Sequence, residues 1–229
     1  MADFEKRRIV NDRILELYRG DPFEEITREA EIHRASHGAG CGLFPAGPHV
    51  MRFVATVARG AQPRRVLDLG TGFGYSAIWI ASTCDEECVV EAIDLFSEHV
   101  AQAERFASHF GLADRIKFIV GEVSKVLERL EGPYDLIHDD AWFAAEPPYF
   151  DRLIELLRPG GTLTMPNWFL LEDAITGEAR RDWAEFAGPN WAASTLTYAE
   201  RLAADSRLSV AWSVSPPLAV AVKLAESAA

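Results

Sequence analysis

The sequence predicts an α/β fold: a doubly wound open sheet flanked by helices, led in by a helical N-terminal extension and ending in an antiparallel strand. Three observations carry the prediction. From Arg65 onward, short β-rich runs alternate strictly with segments of helical length, the pattern of a parallel sheet with helices on both faces. The first run, Val66–Leu69, enters the glycine turn Gly70-Thr71-Gly72-Phe73-Gly74 and then a helix. Near the end, Leu208–Trp212 and Leu218–Lys223 flank Ser215-Pro216-Pro217, a reversal short enough to join an antiparallel pair.

The elements follow in order. Residues 1–60 lack strong strand signals and read as a helical extension. Asp21-Pro22 is an N-cap followed by proline at the first helical position, with Glu24 and Glu25 in the first turn of a helix to Ser36. The stretch His37–Gly47 holds too much glycine for regular structure, and a helix from Pro48 to Ala58 leads to the first strand. Strands are expected at Val66–Leu69, Val89–Asp94, Ile116–Val120, Tyr134–Ile137 and Gly161–Met165. Helices between them are expected at Tyr75–Thr83, Glu98–Phe110, Val123–Leu130 and Tyr149–Leu157, with Arg158-Pro-Gly-Gly161 as a turn. No repeat or linker divides the chain, so residues 1–229 read as one domain, with 65–229 as its core.

Composition narrows the partners. The chain has 229 residues, 48% of them apolar, enough for a sizeable core. A net charge of −12 with no basic run argues against binding nucleic-acid phosphates. No apolar stretch approaches the roughly 20 residues of a membrane span, and the N-terminus shows no apolar signal-peptide core. Three cysteines, Cys41, Cys84 and Cys88, suit a reduced cytoplasmic protein better than a disulfide scaffold.

Ligands of an open parallel sheet bind at the carboxyl ends of its strands. There the first strand offers Asp68 and Gly70 to Gly74, and the helix from Tyr75 aims free N–H groups and a positive dipole at the ligand. The spacing is G-x-G-x-G, with Tyr75 where a dinucleotide fingerprint needs its third glycine. That favours a compact nucleoside ligand without a pyrophosphate, of the S-adenosylmethionine type. Asp94, about 20 residues on, stands where an acidic side chain meets ribose hydroxyls, or else caps the next helix. Ser97 offers an alternative cap. Glu122, ending the third strand, either faces an adenine edge or is a solvated carboxylate.

Together Val66–Ala81, Glu91–Asp94, Gly111–Ile116, Val120-Gly-Glu122, Tyr134–Ile137 and Leu157–Thr162 resemble the class I S-adenosylmethionine-dependent methyltransferases. Gly74-Tyr75-Ser76 points to the catechol and caffeoyl-CoA O-methyltransferase-like branch, and the resemblance covers roughly residues 40 to 223. It implies a Rossmann-like seven-stranded sheet with the last strand antiparallel. It also implies that Asp68, Gly70, Gly72 and Ser76 line the methionine moiety, with Ser76 on its carboxylate. Asp94 would hold the ribose, Glu122 and the Val123 backbone would flank the adenine, and Phe44–Gly47 would close over the methionine end. Asp139 is matched to the family's metal-binding aspartate. The match then breaks. The family's metal set resembles Asp…Asp-Asn, and this chain has Met165-Pro166-Asn167, so one carboxylate has become proline. Asp139-Asp-Ala-Trp142 also stands where Asp-Ala-Asp-Lys is common. Asp139, Asn167 and a displaced Asp140 would at best hold Mg²⁺ weakly.

The expected activity is methyl transfer to a hydroxyl of a small, aromatic acceptor without the usual divalent metal. His138 and Asp139 are the nearest candidates for a base, with Asp140 behind them, His138 having a packing role as its alternative. Trp142, Trp168, Trp183 and Trp191, with Phe143 and Phe169, either line the acceptor pocket or pack the segment 167–189 onto the body. A cofactor-binding protein that has lost catalysis is the second reading. A nicotinamide oxidoreductase is disfavoured by Tyr75 and the antiparallel ending. His33 and His37 have an i, i+4 metal spacing without an evident third ligand, and Cys84-x3-Cys88 lacks partners. The stripe Ile14, Leu15, Leu17, Tyr18 is either packing or a homodimer contact.

Overall fold

The computed structural model describes residues 2–18, 20–142 and 144–225. Three helices come first: α1 (Ala2–Leu17), α2 (Glu24–His37) and α3 (Pro48–Ala61), separated by the glycine-rich stretch that contains a short 3-10 turn at Ala39–Cys41. Then β1 (Arg65–Leu69), α4 (Tyr75–Thr83), β2 (Val89–Asp94), α5 (Ser97–His109), β3 (Ile116–Val120), α6 (Val123–Leu127), β4 (Tyr134–Asp139), α7 (Phe150–Leu156) and β5 (Leu157–Met165) alternate as expected. Next come α8 (Phe169–Thr176), α9 (Ala184–Ala187) and α10 (Trp191–Ala204). The hairpin β6 (Leu208–Val214) and β7 (Pro217–Lys223) ends the sheet.

The seven strands run in the order β3-β2-β1-β4-β5-β7-β6. The first five are parallel, and β7 is antiparallel to both β5 and β6. The order reverses between β1 and β4, which opens a crevice beyond their carboxyl ends. Side-chain parity explains the two cores. Val66, Val90, Ala92 and Leu136 face one layer with residues of α2, α3, α4 and α5, while Leu67, Leu69, Ile93 and Ile137 face the other with α7 and α10. Both faces are covered, so the strands read as near-continuous apolar runs.

Three local expectations change. Asp21 does not cap α2, whose flanking residue is Phe23; its carboxylate instead accepts N–H of Phe23 at 3.0 Å and the Tyr75 hydroxyl at 2.7 Å. Arg158-Pro-Gly-Gly161 is not a free turn, because β5 already begins at Leu157, pairs there with Tyr134, and resumes after a bulge at Thr162 opposite Leu136. Helix α10 was not foreseen at all. On α1, Ile14 is half-buried while Leu17 and Tyr18 are exposed, and the Leu15 side chain lies outside the described residues. Among the described residues no helix is long and apolar enough to cross a membrane.

At the opposite end of the sheet from the crevice, Asp135 holds three elements together. Its carboxylate accepts the N–H groups of Arg64 and Arg65 at 2.8 and 2.9 Å and Arg158 Nε at 2.6 Å. Burial alone would raise its pKa, but Arg158 and the two amides outweigh burial and hold it low. Removing the carboxylate leaves those donors unpaired, so Asp135→Ala is expected to cost about 2 kcal/mol in urea denaturation at pH 7. A depressed pKa adds stability above the ordinary carboxylate range and loses it as pH falls, so the difference from wild type shrinks towards pH 3.

Candidate active site

A cavity of about 830 Å³ occupies the crevice. Its floor is the β1 end with Gly70, Gly72 and Ser76. One wall is the loop from Gly40 to Gly47, and the other is Asp140–Trp142 with Pro166 and Asn167. Further out lie Phe169, Arg181, Trp183 and Glu185.

The glycine turn works by close approach. Gly70 has φ +80°, and a Cβ there would sit 3.0 Å from the Asp140 carbonyl oxygen. Gly72 has φ +55°, and its Cβ would lie 2.7 Å from Leu43 of the covering loop. Gly70 therefore excludes a side chain by conformation and by the nearby backbone, and Gly72 by conformation, since the Leu43 side chain can shift. The turn is pinned from behind, since Gly72 N–H donates to Asp94 Oδ2 at 2.9 Å. Asp94 Oδ1 accepts from Phe96 N–H at 3.0 Å and bonds His99 Nδ1 at 3.1 Å, so Asp94 organises the start of α5 while standing at the strand end. Ser97 begins α5 and makes no capping bond.

Asp68 is fully buried beneath the turn. Ser76 Oγ donates to its Oδ2 at 2.7 Å, while Oδ1 is buried without a partner. Burial pushes the carboxyl up to about 6 against the neighbouring Thr71 and Ser76 hydroxyls, with Asp94 adding repulsion; the Thr71 hydroxyl is close enough to favour the carboxylate but makes no hydrogen bond of good geometry to Oδ1. An orphaned buried acceptor beside an N-terminal helix turn fits a ligand that brings its own cationic donor. Ser76 lines the cavity, and its hydroxyl donates to Asp68. Glu122 and Val123 sit at the end of β3, outside the cavity lining, with Glu122 engaged by Lys125 and Ser124.

The base candidates separate. Asp139 and His138, expected at the acceptor, do not line the cavity; both are fully buried. His138 Nδ1 pairs with Thr164 Oγ1 at 2.9 Å, and burial depresses its pKa to about 4. Asp139 faces the second core, where its Oδ1 accepts from Ala141 N–H at 3.2 Å and the Tyr149 hydroxyl at 3.3 Å, and Oδ2 has no partner. Asp140, one residue on, lines the cavity and accepts from Asn167 Nδ2 at 2.8 Å. Desolvation, with Asp68 and Asp139 nearby, pushes the Asp140 pKa well up despite the Asn167 bond. Asp140, which the sequence reading put behind His138 and Asp139, is thus the carboxylate that lines the cavity.

The residues at the β4 and β5 ends do not fit a dedicated divalent-metal site. Asp140 supplies a carboxylate and Asn167 an amide turned towards it, and Pro166 lines the cavity between with no side-chain oxygen.

Of the tryptophans, Trp142 and Trp183 line the cavity and Trp168 and Trp191 do not. Trp142 packs on Trp168 and Tyr198 with ring centroids 4.7 and 5.3 Å away, and its Nε1 is buried without a partner. Phe169 stacks on Trp183 at 5.2 Å, and the Arg181 guanidinium lies 4.9 Å over the Trp183 ring. Phe143 lies outside the described residues. Arg181 and Glu185 carried no spacing signal, and only the folding of α8 and α9 brings them to the mouth.

The fold and this crevice define a Rossmann-like enzyme of the methyltransferase type. Residues 46–216 match the O-methyltransferase family, and the chain belongs to that family. A putative O-methyltransferase of Mycobacteroides abscessus is 33% identical over 144 residues, 62% of this chain and 65% of the relative, just under two thirds of its length. One from Mycobacterium sp. (strain JLS) is 32% identical over 182 residues, 78% of this chain and 82% of the relative. The fold is similar to the O-methyltransferase from Bacillus cereus in complex with SAH, with a TM-score of 0.72 at 20% identity over 94% of this chain and 97% of that one.

Asp139 gives a test of its placement. Its pKa rises from 3.8 unfolded to about 7 folded, chiefly through desolvation. The folded state then holds a proton that the unfolded chain releases, so stability is full below pH 4 and falls as pH rises to 7. Asp139→Asn is expected to exceed wild type at pH 8 by an amount on the order of 3 kcal/mol, and by much less at pH 4. Thermal melts at the two pH values measure it.

Proposed function

We propose that this protein transfers a methyl group from S-adenosylmethionine to a hydroxyl of a small aromatic acceptor, without a dedicated divalent metal. The single observation that carries the reading is the crevice at the β1/β4 switch point, lined by Gly70, Gly72, Ser76 and Asp140, with the Asp68 carboxylate buried directly behind Ser76 and its Oδ1 without a partner. S-adenosylmethionine, when bound, supplies an electrophilic methyl on its sulfonium.

The chain's own residues supply the rest. Asp68 Oδ1 accepts from the donor's ammonium, and Gly70 and Gly72 let the backbone come close. Asp94 holds the ribose, with Glu122 and Val123 at the adenine end. Leu43 and the loop up to Gly47 cover the donor and exclude water; Arg34 fixes that loop by donating to the Leu43 carbonyl at 3.1 Å. On the acceptor side Trp142, Phe169 and Trp183 offer flat apolar faces, which supports an aromatic ring. Asp140 takes the hydroxyl proton, and orientation supplies much of the remaining rate. The absence of a metal role is supported by Pro166 and by the Asn167 amide turned onto Asp140. Exposed Ile9, Val10 and Leu17 on α1 support pairing of two chains, and three free cysteines suit a reduced cytoplasm.

Calorimetric titration is expected to give one site per chain for S-adenosylmethionine and for its demethylated product, and none for NAD. Asp68→Ala should weaken that binding by roughly tenfold or more, since it removes a charge-assisted bond; NAD binding in place of the methyl donor would sink the reading.

Labelled donor with a panel of phenols, with and without EDTA, tests the acceptor side. Turnover should survive EDTA, and Asp140→Asn should lower kcat about 10²-fold or more with little change in donor affinity. Because the Asp140 pKa is raised, kcat should climb with pH as that carboxyl ionises. Loss of activity in EDTA with rescue by Mg²⁺ would overturn the metal-free reading, and donor binding without turnover would favour the protein that has lost catalysis.

A further inference from the structure

Behind the glycine turn, on the far side of Asp94 from the cavity, two helices bring together side chains separated by 65 positions. His33 projects from the last turn but one of α2, and Glu98 and His99 lie in the first turn of α5. One ligand atom from each of the three lies within 4.8 Å of the others. The His33 and His99 rings meet edge to face at 5.4 Å, and Phe73 closes the pocket at 5.3 Å from the first and 5.5 Å from the second.

Two features make this more than a meeting of histidines. His99 is 2% exposed, and its Nε2 is buried with no partner; the His33 Nε2 is likewise buried without one. Two buried nitrogens without hydrogen-bond partners facing one cluster are a cost that a shared ligand removes. Second, His99 Nδ1 already bonds Asp94 Oδ1 at 3.1 Å. A carboxylate on one ring nitrogen fixes the tautomer and turns the lone pair of the other outward, which is how metal-ligating histidines are oriented.

We propose that His33, Glu98 and His99 form a binding site for a divalent transition-metal ion, Zn²⁺ by its chemistry. Two imidazoles and one carboxylate make a three-ligand set with a fourth position for water. Tetrahedral Zn²⁺ at about 2.0–2.1 Å from nitrogen needs ligand atoms roughly 3.3 Å apart, so binding draws the three in from their present spread, the exposed Glu98 and the half-buried His33 turning towards the buried His99. His37 stacks on His33 with centroids 4.0 Å apart and bonds the His33 carbonyl through Nδ1, bracing that ring. The site is separate from Asp140 and Asn167, and its two nitrogen donors disfavour Mg²⁺ and Ca²⁺. An ion here would brace His99, and through Asp94 the N–H of Gly72.

The test uses the full chain, stripped with a chelator and titrated with Zn²⁺ by calorimetry and with Co²⁺ by visible absorption. One ion per chain and the intense spectrum of tetrahedral Co²⁺ are expected, with no displacement by excess Mg²⁺. His33→Gln and Glu98→Gln should each weaken binding by at least the ~10–100-fold that outer-shell changes cost, while Asp140→Asn leaves it unchanged. His99→Gln should act likewise, and because His99 is buried, the half-exposed His33 and the exposed Glu98 keep the result independent of any folding defect there. No stoichiometric binding, or binding undiminished in His33→Gln, would overturn the proposal. Binding lost in Cys84→Ser but kept in His33→Gln would place the ion at the cysteine pair and overturn it equally.

Discussion

The ends of β1 and β4 touch backbone to backbone, and the rest of the site depends on that contact. The Asp140 N–H donates to the Leu69 carbonyl at 3.0 Å, and Gly70 approaches the Asp140 carbonyl so closely that a methyl group would not fit without displacement. Because the strand order reverses there, the two chains then diverge and leave a crevice between them. Everything polar that matters gathers at this point: Asp68 below, Asp140 on the wall, Asp139 beneath it. Burial chiefly raises all three carboxyls; Asp68 adds to the rise at Asp139 and at Asp140, and Asp139 adds further at Asp140.

The N-terminal helices matter to the site as much as the sheet does. Tyr75 occupies the position where a further glycine would let a helix approach a pyrophosphate. Its ring packs against Trp79 at 6.4 Å and its hydroxyl ties to Asp21, so the residue that alters the nucleotide motif also anchors the extension. Arg52 adds to that anchor, stacked over both Tyr18 and Trp79 at 4.5 and 5.2 Å. The covering loop is thereby built on a fixed frame, and Leu43 fills the space left by Gly72.

The central strands were legible because each is a short apolar run bounded by turn residues; β2 and β3 begin and end where the alternation pattern puts them. The glycine turn was legible for the same local reason. What the sequence hid was parity and distance. Asp139 and Asp140 are adjacent, and in a strand adjacent side chains point to opposite faces, so a shift of one residue exchanges a core carboxylate for a cavity one. Helix α10 hid behind Trp191, which read as pocket lining or as packing; the helix instead sets Tyr198, unremarked in the sequence, fully into the second core. The β5 bulge hid because Arg158-Pro-Gly-Gly161 has turn chemistry, and only the pairing of Leu157 with Tyr134 shows the strand has already begun. His33 and His99 were out of reach for any spacing rule, since the helices that join them are packed through tertiary contacts alone.

The role proposed for Asp68 makes capture of the methyl donor a proton-coupled event. Burial raises its carboxyl to about 6, so it binds a proton more readily than an ordinary carboxylate, and an arriving ammonium needs the ionised form. The displaced proton must pass to the solvent, so the heat of binding carries the ionisation enthalpy of whichever buffer receives it. On the acid side of that value each pH unit weakens donor binding about tenfold. A side chain that touches neither the acceptor nor the transferred carbon thus ties the occupancy of the enzyme to the acidity of its surroundings.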